Sequence, residues 1–172
     1  TEEIASKKVG YFFAEEKAFK TITEITGAGT SRHPLTFILE AADDIAYLVA
    51  DMEDAIGKGV ISFRDVREFL IENLSTDVYN APHSVHTREV LTTIDEKVFS
   101  VNRFFVDLRD KLIDGARHNF VNHYDEIMAG TFNQDLFKNS WAEDLYVILR
   151  RLSEEKIYDH KGILRLEIAG YT

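Results

Sequence analysis

The sequence predicts an all-α protein, and three observations support that prediction. Apolar residues recur at helical spacing through most of the 172 residues. Only two prolines, Pro34 and Pro82, interrupt this pattern. Hydrophobic residues make up 45% and charged residues 29% of the chain, as in ordinary globular proteins. We therefore expect residues 1–172 to form a single, mainly helical unit.

The first three helices can be placed by their boundaries. The first covers residues 14–25 and ends before a glycine-containing loop. The second begins at Pro34, because a first helical turn does not need the missing N–H, and it ends at Gly57. Ser62, with an acid three residues later, fits an N-cap for a third helix over residues 62–74.

The second half of the chain continues the helical pattern. It is almost unbroken over residues 87–127, is weakened at Gly115, and stops at the glycine- and asparagine-containing segment 129–134. Residues 142–158 predict a further helix. Near the end, residues 164–168 (LRLEI) alternate in the manner of a short strand, although five residues cannot establish one.

Composition excludes several classes of function. Cysteine is absent, so disulfides and thiolate metal sites are excluded, and a metal would need His, Asp or Glu ligands. The net charge of −10 argues against a protein that coats nucleic acid through bulk charge. No apolar run approaches the roughly 20 residues of a membrane span, and no secretory signal opens the chain. The cytoplasm is the expected compartment, without a membrane partner.

The most informative segment is residues 34–56, PLTFILEAADDIAYLVADMEDAI. At about 100° per residue, one side of this helix is apolar and predicts a buried face: Phe37, Ile38, Ala41, Ala42, Ile45, Leu48, Val49, Met52, Ala55 and Ile56. Five polar residues, which we call the polar stripe, lie within about 80° on the other side. They are Glu40, Asp43, Tyr47, Asp51 and Asp54.

A solvated helix face is the simplest explanation of such a stripe, but two features favour a site. Carboxylates three or four residues apart repel by a few tenths of a kcal/mol each, and no Lys or Arg within the segment offsets them. Tyr47 is also a large ring to leave in water. Carboxylates bind hard cations and accept hydrogen bonds from hydroxyls, and tyrosine stacks on rings. The stripe therefore predicts a site for a cation, for sugar hydroxyls, or for both.

At these residues the chain resembles a known family. Its segment HPLTFILEAADDIAYLVADMEDAIGKGVIS (33–62) closely resembles a signature segment of the deoxyguanosine triphosphate triphosphohydrolases, the dGTPase branch of the HD-domain phosphohydrolases. The region of about 76–100 is the least similar. Further similar segments follow the family's order, at residues 6–19, 104–113, 124–136 and 156–171.

The resemblance implies roles for three residues of the stripe. In that family a divalent cation, Mg²⁺ or Mn²⁺, is held by a His, a His-Asp pair and a distant Asp, which Asp43 matches. Tyr47 and Asp51 match positions that receive the deoxyribose, with Asp51 accepting a hydrogen bond from the 3′-hydroxyl.

The resemblance also implies three contacts outside the stripe. Lys8 matches a lysine that reaches the polyphosphate, and Arg109 matches an arginine expected near the phosphates. Glu167 matches an acid that meets the edge of the base, where a carboxylate accepts from guanine N–H donors. The implied substrate is dGTP or another dNTP.

The chain also departs from the family. It contains no His-Asp dipeptide, and the nearest pair is the reversed Asp159–His160. In the resembled family the first His, the His-Asp pair, and the catalytic His and acid precede the region that this chain matches. The resemblance therefore implies the middle-to-late part of a larger dGTPase-like domain, with one metal ligand and no catalytic residue of its own.

Other polar pairs have simpler explanations. His83 and His86 fit surface histidines better than metal ligands. Arg150 and Arg151 predict a solvated helix face, with a phosphate or effector contact as the alternative.

Two functions remain after the sequence analysis. The first is a metal-dependent triphosphohydrolase that converts dGTP and water to deoxyguanosine and triphosphate, with the isolated chain expected to be inactive. The alternative is a non-catalytic helical regulatory or interaction module of the same fold. Members of the resembled family form homo-oligomers, often hexamers, and some bind single-stranded DNA, so both are candidate partners.

Overall fold

The structure is a computed structural model that describes residues 11–27, 29, 31–77 and 101–160. Every regular element within these ranges is helical, which confirms the all-α prediction. The predicted strand at 164–168 lies outside the described residues. The helices are α1 (Glu16–Thr26), α2 (Pro34–Gly57), α3 (Phe63–Asp77), α4 (Val101–Asn122), α5 (Tyr124–Met128) and α6 (Glu143–Leu152). A 3₁₀ turn, Phe13–Glu15, precedes α1, and a π-helix, Ser153–Tyr158, continues α6.

The predicted helix boundaries are confirmed where capping residues set them. Pro34 occupies the first turn of α2, and His33 caps that turn by accepting the Leu35 N–H on Nδ1 at 3.2 Å. Ser62 and Asp65 form the predicted N-terminal box of α3. The Asp65 N–H donates to Ser62 Oγ and the Ser62 N–H donates to Asp65 Oδ2, both at 3.1 Å. These bonds from Ser62 lower the pKa of the Asp65 carboxyl group.

The structure divides two of the predicted helices. Within the predicted segment 87–127, α4 ends at Asn122 and α5 begins at Tyr124, while residues 87–100 lie outside the described ranges. The predicted helix 142–158 changes from α to π geometry at Ser153. Hydrophobic periodicity does not detect either change, since the apolar pattern continues across both.

The core is built around α2, which packs against α4 and the π-helix, while α6 packs against α3. Two predicted core residues, Ile38 and Ala42, are exposed because described neighbours cover the N-terminal half of α2 less completely. The remaining predicted face is buried or, at Ile56, partly buried. Its buried residues are Phe37, Ala41, Ile45, Leu48, Val49, Met52 and Ala55. Among the described helices, none is long and apolar enough to cross a membrane.

The glycine at position 115, which weakens the helical pattern of α4, is explained by the packing of α4 against the start of α6. It is buried where α4 meets the start of α6, and a Cβ added to it would lie 2.4 Å from the Cβ of Ala142. Carbon atoms cannot approach so closely, so the two segments would have to separate. A glycine at this position therefore permits the close contact that brings α6 towards α2.

We expect Gly115→Ala to lower the free energy of unfolding by about 1–3 kcal/mol, because the added methyl group overpacks the contact with Ala142. Gly57→Ala is the matched control. Gly57 ends α2 and has open space where a Cβ would lie, so that change should be neutral or stabilise by up to about 1 kcal/mol. Urea denaturation followed by circular dichroism compares the two. A Gly115→Ala variant as stable as the parent would contradict the close contact.

Candidate functional site

A cavity of about 440 Å³ runs along the polar side of α2. This is an ordinary size for a small-molecule site. Its walls come from the segment before α2, from α2 itself, from residues 135–137, and from α6 with its π-helix. The lining residues are Arg32, Phe37, Glu40, Ala41, Asp43, Asp44, Tyr47, Leu48, Asp135, Leu136, Phe137, Tyr146, Arg150, Ser153, Glu154 and Tyr158.

Two residues of the polar stripe are neutralised by cations that lie just outside α2. Arg32 precedes the helix and forms an ion pair with Glu40, and its guanidinium lies 4.9 Å from the ring centre of Phe37. Lys58 follows the helix and pairs with Asp54 at 3.1 Å. Residues 34–56 contain no Lys or Arg, and these two cations come from the residues that flank α2.

Two tyrosines of the α6 region stabilise further carboxylates of α2 by hydrogen bonding. The Tyr146 hydroxyl donates to Asp44 Oδ2 at 2.8 Å, and the Tyr158 hydroxyl donates to Asp51 Oδ2 at 2.6 Å. Burial, together with these bonds, raises the pKa of both tyrosines, that of Tyr158 to about 12. Both hydroxyls are therefore protonated donors at neutral pH and tie α6 and its π-helix to α2.

Asp43 is the exception among the carboxylates of the polar stripe. Its side chain is exposed and lines the cavity, and within the described residues it has no hydrogen-bond or ion-pair partner. An unpaired carboxylate facing a cavity is suited to a hard cation, which prefers oxygen ligands. The part of the chain that the structure describes contains no group of three metal-ligating side chains. The residues present therefore fit one ligand of a metal site and not a complete set.

Tyr47 shares the cavity with Asp43, one helical turn away. The residue is 62% exposed, and it lines the cavity. An exposed ring beside a carboxylate can stack on a sugar or a base and still use its hydroxyl for hydrogen bonding. Asp51 lies one turn further along α2. It is not part of the cavity lining, but it accepts a hydrogen bond from Tyr158, which is.

Of the other predicted site residues, Arg109 lies in the part of the chain that the structure describes, and it does not line this cavity. Arg109 on α4 forms an ion pair with Glu53 of α2, and neither residue is part of the cavity lining. The helical angle of Glu53 is about 120° from the centre of the polar stripe, so Arg109 approaches a different side of α2. Lys8 and Glu167 lie outside the described residues. Their roles, and the phosphate contact of Arg109, stay predictions from the resemblance.

The wall of the cavity that faces α2 was not predicted from the sequence. Tyr146, Arg150, Glu154 and Tyr158 recur every four residues and line the cavity together with Ser153. That spacing places residues on one face of a helix, and it was visible in the sequence. The spacing alone could not show that the face meets the polar stripe, because this depends on how α6 packs.

Comparison with known proteins finds relatives that share a name. No family model matches it. It is 42% identical over 98% of its length to a deoxyguanosinetriphosphate triphosphohydrolase-like protein of Listeria monocytogenes, of which it covers 37%. It is 33% identical over 96% of its length to a deoxyguanosinetriphosphate triphosphohydrolase of Salmonella arizonae, of which it covers 34%. The chain thus spans about a third of the length of these relatives. Over almost its whole length the chain therefore matches about a third of the length of proteins named for the deoxyguanosinetriphosphate triphosphohydrolase family.

Proposed function

We propose that this chain supplies one metal ligand and part of the nucleotide pocket of a metal-dependent dNTP triphosphohydrolase. The reaction converts dGTP and water to deoxyguanosine and triphosphate. One observation carries the proposal: Asp43, without a partner among the described residues, and Tyr47 line the same cavity of about 440 Å³. The names of the relatives support the same reaction class.

Asp43 is the residue that would bind the divalent cation, Mg²⁺ or Mn²⁺. When bound, such an ion supplies a water of lowered pKa and offsets negative charge at the α-phosphorus. Within the described residues, no neighbouring side chain pairs with the Asp43 carboxylate, so it is available to a cation. Asp44, the adjacent residue, accepts a hydrogen bond from Tyr146 instead, so its carboxylate is directed towards α6. The resemblance implies that the other ligands and the catalytic residues lie in parts of the family that this chain does not match.

Tyr47 and Asp51 would select the sugar. A tyrosine ring packed against C2′ of the sugar leaves no space for a 2′-hydroxyl, which favours deoxynucleotides. Asp51 uses Oδ2 to accept from Tyr158, and its second oxygen remains to accept from a 3′-hydroxyl. The bond from Tyr158 also holds the carboxylate in one orientation, so less conformational entropy is lost when the sugar binds.

Asp43→Asn should abolish Mn²⁺ binding at the cavity, because an amide is a much poorer ligand for a hard cation. Asp54→Asn is the matched control, since Asp54 pairs with Lys58 outside the cavity. In the 172-residue chain, Mn²⁺ should broaden the NMR signals of residues around Asp43 in the parent and in Asp54→Asn only. In the complete gene product, Asp43→Asn should lower kcat for dGTP at least roughly 100-fold. Equal behaviour of the two variants would favour the non-catalytic module.

Tyr47→Ala should reduce the preference of the complete gene product for dGTP over GTP about tenfold or more, because the ring no longer excludes a 2′-hydroxyl. Tyr124→Ala is the control, since that tyrosine is also exposed but lies on α5, away from the cavity. The ratio of kcat/KM for the two nucleotides measures the effect. A ratio that Tyr47→Ala leaves unchanged would contradict the steric role of Tyr47.

A further inference from the structure

Two neighbouring carboxylates of α2 line the cavity, and they differ in their partners. Asp43 has no hydrogen-bond or ion-pair partner within the described residues, whereas Asp44 accepts a hydrogen bond from the Tyr146 hydroxyl at 2.8 Å. Both side chains carry the oxygen ligands that a hard cation prefers, so residue type does not decide which of them binds it. The structure distinguishes them by the bond from Tyr146.

The ring of Tyr146 is held by a stacked partner. It lies face to face with the ring of Phe137, with 4.1 Å between the ring centres and 7° between the planes. Both side chains are buried, and close packing holds buried side chains in one conformation. The phenol oxygen cannot move independently of its ring, so this stack fixes the point from which the Tyr146 hydroxyl donates.

The position of Phe137 is set in turn by α4. Asn119 of α4 is buried and donates from Nδ2 to two carbonyl oxygens, that of Leu136 at 2.9 Å and that of Lys138 at 3.0 Å. Asp135 Oδ1 accepts the backbone N–H groups of Phe137 and Lys138, both at 2.8 Å. The backbone on each side of Phe137 is therefore bonded, and the ring is kept against its partner.

A tether between two helices is the simpler explanation of the Tyr146 bond, but two observations favour a further role. The bond from Tyr158 to Asp51 already joins the same wall to α2. Asp44 is also the immediate neighbour of the unpaired Asp43, and the two side chains leave the helix about 100° apart. A cation beside them could use either carboxylate if both were free. A bond that withdraws one carboxylate therefore decides where the cation lies.

We infer that Tyr146 is a positioning residue that reserves the binding of the cation for Asp43, an inference that rests on the proposed function for the identity of the cation. By holding the Asp44 carboxylate against α6, the hydroxyl leaves one of the two adjacent carboxylates available. Phe137 and Asn119 keep the hydroxyl in place. Residues next to a metal ligand act in this way when they orient carboxylates without touching the metal.

A tether and a positioning role predict effects of opposite sign. If Tyr146 only joined two helices, loss of its hydroxyl would loosen α2 and weaken cation binding. If it withdraws Asp44, the same loss frees a second carboxylate beside Asp43. Tyr146→Phe, which keeps the ring on Phe137, should therefore leave Mn²⁺ affinity unchanged or raise it. It should lower kcat for dGTP about tenfold or more, because the ion is no longer held in one position.

The decisive experiment removes the proposed ligand with and without the Tyr146 hydroxyl, in the complete gene product. Asp43→Asn should lose Mn²⁺ binding at the cavity. Tyr146→Phe/Asp43→Asn should recover an affinity within about tenfold of the parent, because the freed Asp44 carboxylate replaces that of Asp43. Adding Asp44→Asn to this pair should abolish binding again. Calorimetry measures the Mn²⁺ affinity, and thermal unfolding checks that each protein is folded.

Tyr158→Phe is the matched control. It makes the same chemical change on the same wall, but it frees Asp51, which lies two helical turns or about 12 Å along α2 from Asp43. Tyr158→Phe/Asp43→Asn should therefore recover no Mn²⁺ binding. Phe137→Leu provides a second route to the same state, because loss of the stacked ring releases Tyr146. Together with Asp43→Asn it should recover part of the binding.

Three results in the Asp43→Asn background would overturn the inference: no recovery with Tyr146→Phe, equal recovery with Tyr158→Phe, or a recovery that survives Asp44→Asn. A weaker Mn²⁺ affinity in Tyr146→Phe by itself would do the same, since a tether predicts that result.

The proposed function fails separately. If the parent hydrolyses no dNTP but Asp44 replaces Asp43 once the Tyr146 hydroxyl is removed, the cation site stands without the enzyme. If the parent hydrolyses dGTP and no recovery occurs, only the role of Tyr146 is wrong. A parent that binds no Mn²⁺ and hydrolyses no dNTP overturns both.

Discussion

The packing of α2 against α4 is the constraint on which the rest of the structure depends. Val49 and Met52 are fully buried on one side of α2, and this fixes the rotation of the helix about its axis. A rotation by one residue, about 100°, would bring acidic side chains into the apolar core, where an unpaired charge is strongly unfavourable. The buried face therefore determines where Asp43 and Tyr47 point, although neither belongs to the core.

The repulsion among the carboxylates of α2, three of them in the polar stripe and one at Asp44, is relieved by four different partners. Arg32 and Lys58 approach from the two ends of α2, and Tyr146 and Tyr158 approach from the facing wall. The tyrosines stabilise the carboxylates by donating hydrogen bonds and add no positive charge to the cavity. The cavity thus keeps its net negative charge. This charge favours a bound cation, and a polyphosphate can enter only next to a cation.

Adjacent arginines on α6 illustrate why charge patterns in a sequence are ambiguous. Arg150 and Arg151 are interchangeable in composition, and a solvated helix face was the simplest interpretation of the pair. In the folded chain their side chains leave the helix about 100° apart. One reaches the cavity and the other lies against Phe69. Arg109 is ambiguous in the same way: the family resemblance predicts a phosphate contact for it, and in the structure it forms an ion pair with Glu53.

The sequence by itself determined the all-α class, the first-turn proline Pro34 of α2, the N-cap Ser62 of α3, most of the buried face of α2 and its polar stripe. Each of these depends on residues within a few positions of one another, so local periodicity and capping chemistry are sufficient to predict them. The opposite wall of the cavity was decided only by tertiary structure. Asp44 and Tyr146 are 102 residues apart, and Asp51 and Tyr158 are 107 apart. Such pairs form because buried apolar faces and the close approach at Gly115 orient whole helices, and no local pattern encodes that orientation.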